Sequence, residues 1–266
     1  MEKILFRVVF QAMRIAFLIL FPILALFAGG LLYRLAYAYP RQSFGELLRP
    51  SCHACGVRLP MRYSIPVLGT ILSGARCPAC KEKRGVGSLL SEVIFALATF
   101  LLFFFYDLSF LFLVYLVAAA LLLVLSLVDL DVKEVPHGFL LVLLLLGVLL
   151  FILSFFPKVS LSKILWWEHL VGAVAVSVPL FILMVVSGGG VGGGDVKLMF
   201  CLGLLLGYKL ILLSFLFGIV LAAIFSVILI VIYGKNGKYA LPLVPFLSVG
   251  AFIAMTVGET LLSLFF

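Results

Sequence analysis

Gly188-Gly189-Gly190-Val191-Gly192-Gly193-Gly194-Asp195-Val196-Lys197 sets six glycines among seven residues immediately before one carboxylate. Glycine at that density leaves the backbone free to bend and to approach another chain closely. Apolar residues flank the stretch on both sides, so Asp195 stands at the mouth of an apolar run. An ionisable group at a membrane is costly, and it marks a functional site by default. The candidate partner is Asp129, 66 residues earlier, which closes another apolar run.

The surrounding chain is built for lipid. Of 266 residues, 65% are hydrophobic and 11% charged, and the mean hydropathy is +1.36. Apolar runs of about 20 residues recur along its length, the pattern of a polytopic membrane protein. The expected fold is an all-α bundle of about eight transmembrane helices. The spans read as 15–39, 89–106, 110–128, 139–156, 168–187, 196–207, 210–232 and 241–266, with 196–207 short and punctuated by Gly203 and Gly207. Residues 1–14 are an interfacial helix or the start of the first span. They do not read as a cleavable signal, because the next apolar run is too long. Pro40 is expected to end the first span, and Trp166-Trp167 to sit at an interface. Asp107 reads as a solvated boundary residue.

Between the first two spans lies a hydrophilic loop with Cys52-His53-Ala54-Cys55 and Cys77-Pro78-Ala79-Cys80, two C-x-x-C pairs 21 residues apart. Four thiolates at this spacing suit one closed tetrahedral zinc site. Such a metal would fold a loop too small for its own core. The competing readings are disulfides or free thiols, and a cytoplasmic position disfavours the former. The expected organisation is 1–39 as N-terminal segment and first span, 40–88 as a cytoplasmic four-Cys zinc loop, and 89–266 as the membrane core.

The net charge of +8 is concentrated in that loop. Arg41, Arg49, Arg58, Arg62, Arg76, Lys81, Lys83 and Arg84 face only Glu46 and Glu82 there. Cytoplasmic loops collect Lys and Arg, so the charge reads as topology. It does not indicate nucleic-acid binding, since no aromatic interleaving accompanies it. With this loop inside, alternation puts 129–138, 188–195 and 233–240 on the same face. Both acids are therefore cytoplasmic. The N-terminus falls outside despite Lys3, Arg7 and Arg14, which the eight basic residues of the loop outweigh.

Two neighbouring carboxylates share one proton, and the pair can act as base and acid on a single water. The water attacks a peptide carbonyl while the second acid protonates its oxygen. Taken singly, each Asp is equally a helix-boundary residue, Asp195 as an N-cap. On physical grounds alone an ion-binding site or a proton-relay transporter stays open.

The motifs narrow this. Asp129 with Pro136 seven residues on, then Gly192-Gly193-Gly194-Asp195-Val196-Lys197, resembles the prepilin peptidase (type IV leader peptidase) family of membrane aspartic proteases with a G-x-G-D motif. Tyr63-Ser64-Ile65-Pro66-Val67-Leu68, Glu92 after the Cys loop, and Pro242-Leu243-Val244-Pro245-Phe246 followed by Gly250 resemble further segments of that family. The resemblance implies cleavage of the basic leader of type IV prepilins or type II secretion pseudopilins, on the cytoplasmic side of the bacterial inner membrane and just before an apolar stem. It implies Asp129 and Asp195 as the catalytic pair, with Gly192, Gly194, Lys197, Asp131 and Pro136 in support. Cys52, Cys55, Cys77 and Cys80 are the implied zinc ligands. It also implies N-methylation of the new N-terminus with S-adenosylmethionine. The partners are the prepilin and the bilayer. The chain departs from the family where the first span usually ends Gly-Ser-Phe-x-Asn, with an Arg before a Pro: Gly30, Tyr33 and Ala38 stand at those positions.

Overall fold

The computed structural model describes residues 2–42, 55, 57, 76–77, 79–81, 87–156, 164–188, 190, 192–233 and 241–265. Within these every regular element is helical: α1 (Glu2–Arg41), α2 (Gly87–Tyr106), α3 (Phe110–Val132), α4 (His137–Leu153), α5 (Trp166–Ala175), α6 (Ser177–Val186), α7 (Gly193–Tyr233) and α8 (Val244–Phe265). Six helical stretches are long and apolar enough to cross a membrane: Gln11–Arg41, Gly87–Tyr106, Phe110–Val132, Trp166–Val186, Gly193–Ile232 and Val244–Leu264. The protein is thus a multi-pass helical membrane protein. The expected count of about eight is approximate: α4 is apolar but only 17 residues long, and α7 breaks into two helices at Gly207.

The chain forms two compact units, Met1–Leu116 and Val117–Phe266. In the first, α1 packs along α2. Phe21 meets Phe103 and Phe112 with ring centroids 5.3 and 5.6 Å away. Gly29 allows the two backbones to touch, since a side chain there would strike the backbone of Glu92. Helix α1 runs one residue past Pro40, and Gln42 ends it at φ 52°. Asp107 also departs from expectation. It is exposed, but Arg14 Nε lies 2.5 Å from its Oδ1, so it is an ion-pair partner rather than only a solvated residue.

In the second unit, the long apolar run 168–187 is two helices. Pro179 has no N–H to give to Ala175, and the chain bends at Val176 between α5 and α6 (φ −106°, ψ −38°). At Gly207 the backbone takes φ +75°, ψ 169°, a conformation that other residues rarely adopt. Gly203, expected as punctuation, instead lies inside a helix. It meets Gly172 of α5 backbone to backbone, where a Cβ on either would collide with the other's carbonyl oxygen. Small residues at such a crossing let helices pack by van der Waals contact, the main driving force left inside lipid. The Trp pair is tied down: Trp166 stacks on Phe155 and Trp167 on Tyr208, at 5.8 and 5.6 Å.

Candidate active site

Helix α3 is apolar until its last turn, where Asp129 appears. Lys133, in a left-handed conformation (φ 56°), donates its N–H to Asp129 O at 3.0 Å and closes the helix. The chain then leads through buried Pro136 into α4. Asp195 lies in the first turn of α7, where its N–H donates to Gly192 O at 3.1 Å. An acid in a first turn faces the positive end of the helix dipole. Both side chains are withdrawn from the surface, Asp129 at 6% and Asp195 at 9% exposure.

Two contacts hold this pair. The N–H of Val244, the first residue of α8, donates to Asp129 Oδ2 at 3.1 Å. This N–H has no partner within its own helix, so the carboxylate satisfies it and is oriented by it. On the other side, Gly194 lies against the side chain of Val135, with no room for a Cβ. The loop after Asp129 is thereby pressed onto the turn that carries Asp195. Gly192 has a related constraint: a Cβ there would stand 2.9 Å from Asp195 Oδ2.

The other expected residues are placed around this centre. Lys197 Nζ lies 2.9 Å from His137 Nε2, linking α7 to α4 at the surface. Asp131 is exposed at the end of α3, while Pro136 is buried. Below Lys197 and His137 a cavity of about 690 Å³ opens between α4, α6 and α7. In the first unit Glu92 is buried; Ser88 Oγ donates to its Oε1 at 3.0 Å, and Gly30 lies against that oxygen.

Of the four cysteines in the loop, Cys55, Cys77 and Cys80 are described, and their sulfurs all lie within 4.8 Å of one another. The Cys55 and Cys77 sulfurs are 3.8 Å apart, about the edge of a tetrahedron with ~2.3 Å zinc–sulfur bonds. The three sulfurs are close enough together to hold a metal. Cys52 and the segment Tyr63–Leu68 lie outside the described residues.

Comparison with known proteins bears on the same residues. The pattern of the type IV leader peptidase family matches residues 116–227. That of the bacterial Peptidase A24 N-terminal domain matches residues 23–106. A prepilin leader peptidase/N-methyltransferase of Pseudomonas putida is 31% identical over 209 residues, 78% of this chain and 72% of the relative. The chain belongs to the type IV leader peptidase family. Proteins of the same name in Bacillus subtilis (strain 168) and Neisseria gonorrhoeae are 25% and 29% identical, over 82% and 81% of this chain and 85% and 74% of theirs. No solved structure matches it.

Several residues around the two acids and against the helices that carry them give no sign of their contacts in the sequence. Val135 lies in the loop after α3 and His137 opens α4, yet nothing local marks a Val as the partner of a glycine 59 residues away. Val244 acts through its backbone, which no residue type announces. His169 is fully buried, with Nδ1 2.7 Å from Leu204 O, beside the Gly172–Gly203 crossing. A lone His in an apolar run gives no pointer to such a contact.

Proposed function

We propose that this chain is a prepilin peptidase of the bacterial inner membrane that cleaves prepilins or pseudopilins with Asp129 and Asp195. The observation that carries the reading is a pair of buried acids, at the end of α3 and the start of α7, on turns joined by the packing of Val135 against Gly194. One ionised and one protonated carboxylate form the working pair. The ionised member takes a proton from water as the water attacks the peptide carbonyl. The protonated member gives its proton to the carbonyl oxygen. The acid that took the water's proton then passes it to the peptide nitrogen, and the C–N bond breaks as the other carboxylate takes a proton back from a hydroxyl, leaving a carboxylic acid and an amine. Val244 N–H keeps one oxygen of Asp129 engaged, so the other is the one turned to chemistry. Gly192 and Gly194 keep the turn narrow, Pro136 and Lys197 brace it, and Asp131 lends support from the surface.

In this reading residues 1–39 carry the first span, 40–88 the metal loop, and 89–266 the peptidase core. The basic loop supports a cytoplasmic active face. Cys52 completes the three clustered thiols, and the four thiolates fit a structural zinc. The proton-relay transporter has no counterpart in the matched family or in these relatives.

The names of the relatives pair the peptidase with an N-methyltransferase, and methylation of the new N-terminus is the second activity we infer. The cavity between α4, α6 and α7 does not fit S-adenosylmethionine: apart from Lys197 and His137 its described lining offers hydrocarbon, Ser177 and Cys201, with no carboxylate for the ligand's cationic groups. No methyl-transfer step is assigned to it. The test is incubation of the purified chain with a prepilin, with and without S-adenosylmethionine, followed by mass spectrometry of the product N-terminus. Loss of the leader supports the peptidase, and one added methyl supports the transferase. An uncut prepilin beside a folded chain overturns the reading.

A further inference from the structure

We infer that Ser126 and Ser248 are positioning residues for Asp129: their hydroxyls fix the register of α8 against α3, so that the N–H of Val244 arrives at the carboxylate. This deepens the peptidase reading and rests on it. Geometry is the first argument. Ser126 precedes Asp129 by three residues and Ser248 follows Val244 by four, so each pair shares one helix face, a turn apart. Ser126 Oγ lies 2.9 Å from Ser248 Oγ, and Val244 N–H reaches Asp129 Oδ2 at 3.1 Å. The two contacts are successive rungs between α3 and α8, which run antiparallel here. A single rung leaves α8 free to pivot about it, whereas two hold its rotation and its height together. The tolerance is small, because a slip of one residue moves a helix about 1.5 Å along its axis and turns its groups by about 100°.

The proton count is the second argument. Ser126 Oγ also lies 2.7 Å from Leu122 O, and Ser248 Oγ lies 3.5 Å from the same oxygen. Each hydroxyl has one proton to give. In these contacts both acceptors open to Ser248 belong to α3, so its proton ties α8 to α3 wherever the proton of Ser126 points. The surroundings are apolar. Ser248 is itself buried, as are Val244, Leu247 and Ala251 on its own helix and Leu122 and Leu125 on α3. In lipid such surfaces meet by van der Waals contact, without the hydrophobic drive that water supplies, and interhelical hydrogen bonds add direction. The serine pair supplies that direction one turn from the acid. It acts on the chemistry through Val244: with α8 at this height, one oxygen of Asp129 stays engaged and the other is left for the reaction.

The experiment removes the hydroxyls one at a time. Ser248→Ala deletes the proton that crosses between the helices. Ser126→Ala leaves Ser248 the carbonyl of Leu122, and Ser248→Thr keeps a hydroxyl in place. Thr256→Ala is the control, since that hydroxyl of α8 bonds Phe252 O and Ile253 O of its own helix. For each variant kcat and KM are measured on a full-length prepilin in bilayer discs. Ser248→Ala should lower kcat roughly tenfold to a hundredfold, the scale of a small misplacement of a reacting group, with KM near the wild-type value. Ser126→Ala should lose less, and Ser248→Thr and Thr256→Ala should stay close to wild type. Ser248→Ala is then combined with Val244→Pro. Since the serine acts through the Val244 N–H, it should cost little further kcat in that background, whereas independent effects multiply. Wild-type kcat in Ser248→Ala, or losses that multiply in full, overturns the clamp while peptidase activity stands. Where Val244→Pro alone abolishes cutting, the single variants decide: Ser248→Thr as slow as Ser248→Ala overturns the clamp. A wild-type chain that cuts no prepilin overturns the peptidase reading itself.

Discussion

Asp129 and Val244 are 115 residues apart, yet the N–H of Val244 reaches Asp129 Oδ2 at 3.1 Å. The last helix of the chain thus begins on a carboxylate that closes the third. The segment Pro242-Leu243-Val244-Pro245 explains how. Proline at the entry of a helix is preset for its first turn and removes N–H groups that would otherwise need partners. Between the two prolines, Val244 keeps its own N–H and presents it to Asp129.

Val244→Pro deletes that donor while keeping an entry conformation compatible with a helix. A hydrogen bond to a charged group contributes about 1.5–3 kcal/mol. The variant should unfold at lower denaturant concentration and cleave prepilin more slowly. Wild-type rate and stability would show that Asp129 is held by other groups.

The contact of Gly194 with Val135 gives a test by rescue. Gly194→Ala places a methyl group in the Val135 side chain, and overpacking of this kind costs about 1–3 kcal/mol. Cleavage should fall with stability. Adding Val135→Ala should restore both, because it removes the atoms in the way. A double variant no better than Gly194→Ala would mean that the glycine serves a backbone conformation instead.

Gly203 offers a purely structural comparison. Gly203→Ala drives a Cβ into the Gly172 carbonyl, where backbone cannot yield as a side chain does. It should lower the melting temperature more than Gly194→Ala. The reading fails if thermal unfolding in detergent is unchanged.

The metal reading predicts about one zinc per chain, held by four thiolates. Cys77→Ser, at the buried member of the cluster, should release it and lower stability. Elemental analysis of purified protein decides this; a chain without bound metal, folded and active, would contradict it.

Much of this architecture is legible because lipid imposes a simple rule. Apolar runs of about 20 residues must be helices, so six described crossings and the break at Gly207 fall near their expected places. Asp129 and Asp195 stand out because charge is rare in such runs. The bend at Val176 is hidden, although Pro179 is visible, since an apolar run looks the same whether straight or kinked. Gly203 misleads for the same reason: glycine marks both breaks and close crossings, and only the neighbour, Gly172, tells which. Asp107 gives no hint of Arg14 because pairing across 93 residues leaves no local trace.

The most direct measurement is the initial rate of prepilin cleavage by Asp129→Asn and Asp195→Asn, each with its melting temperature. Acid–base groups contribute roughly 10²–10⁴-fold each. Both variants should lose at least the lower figure while unfolding near the wild-type temperature. If either Asn variant cleaves at the wild-type rate, that residue is not one of the pair, and the two-carboxylate account falls.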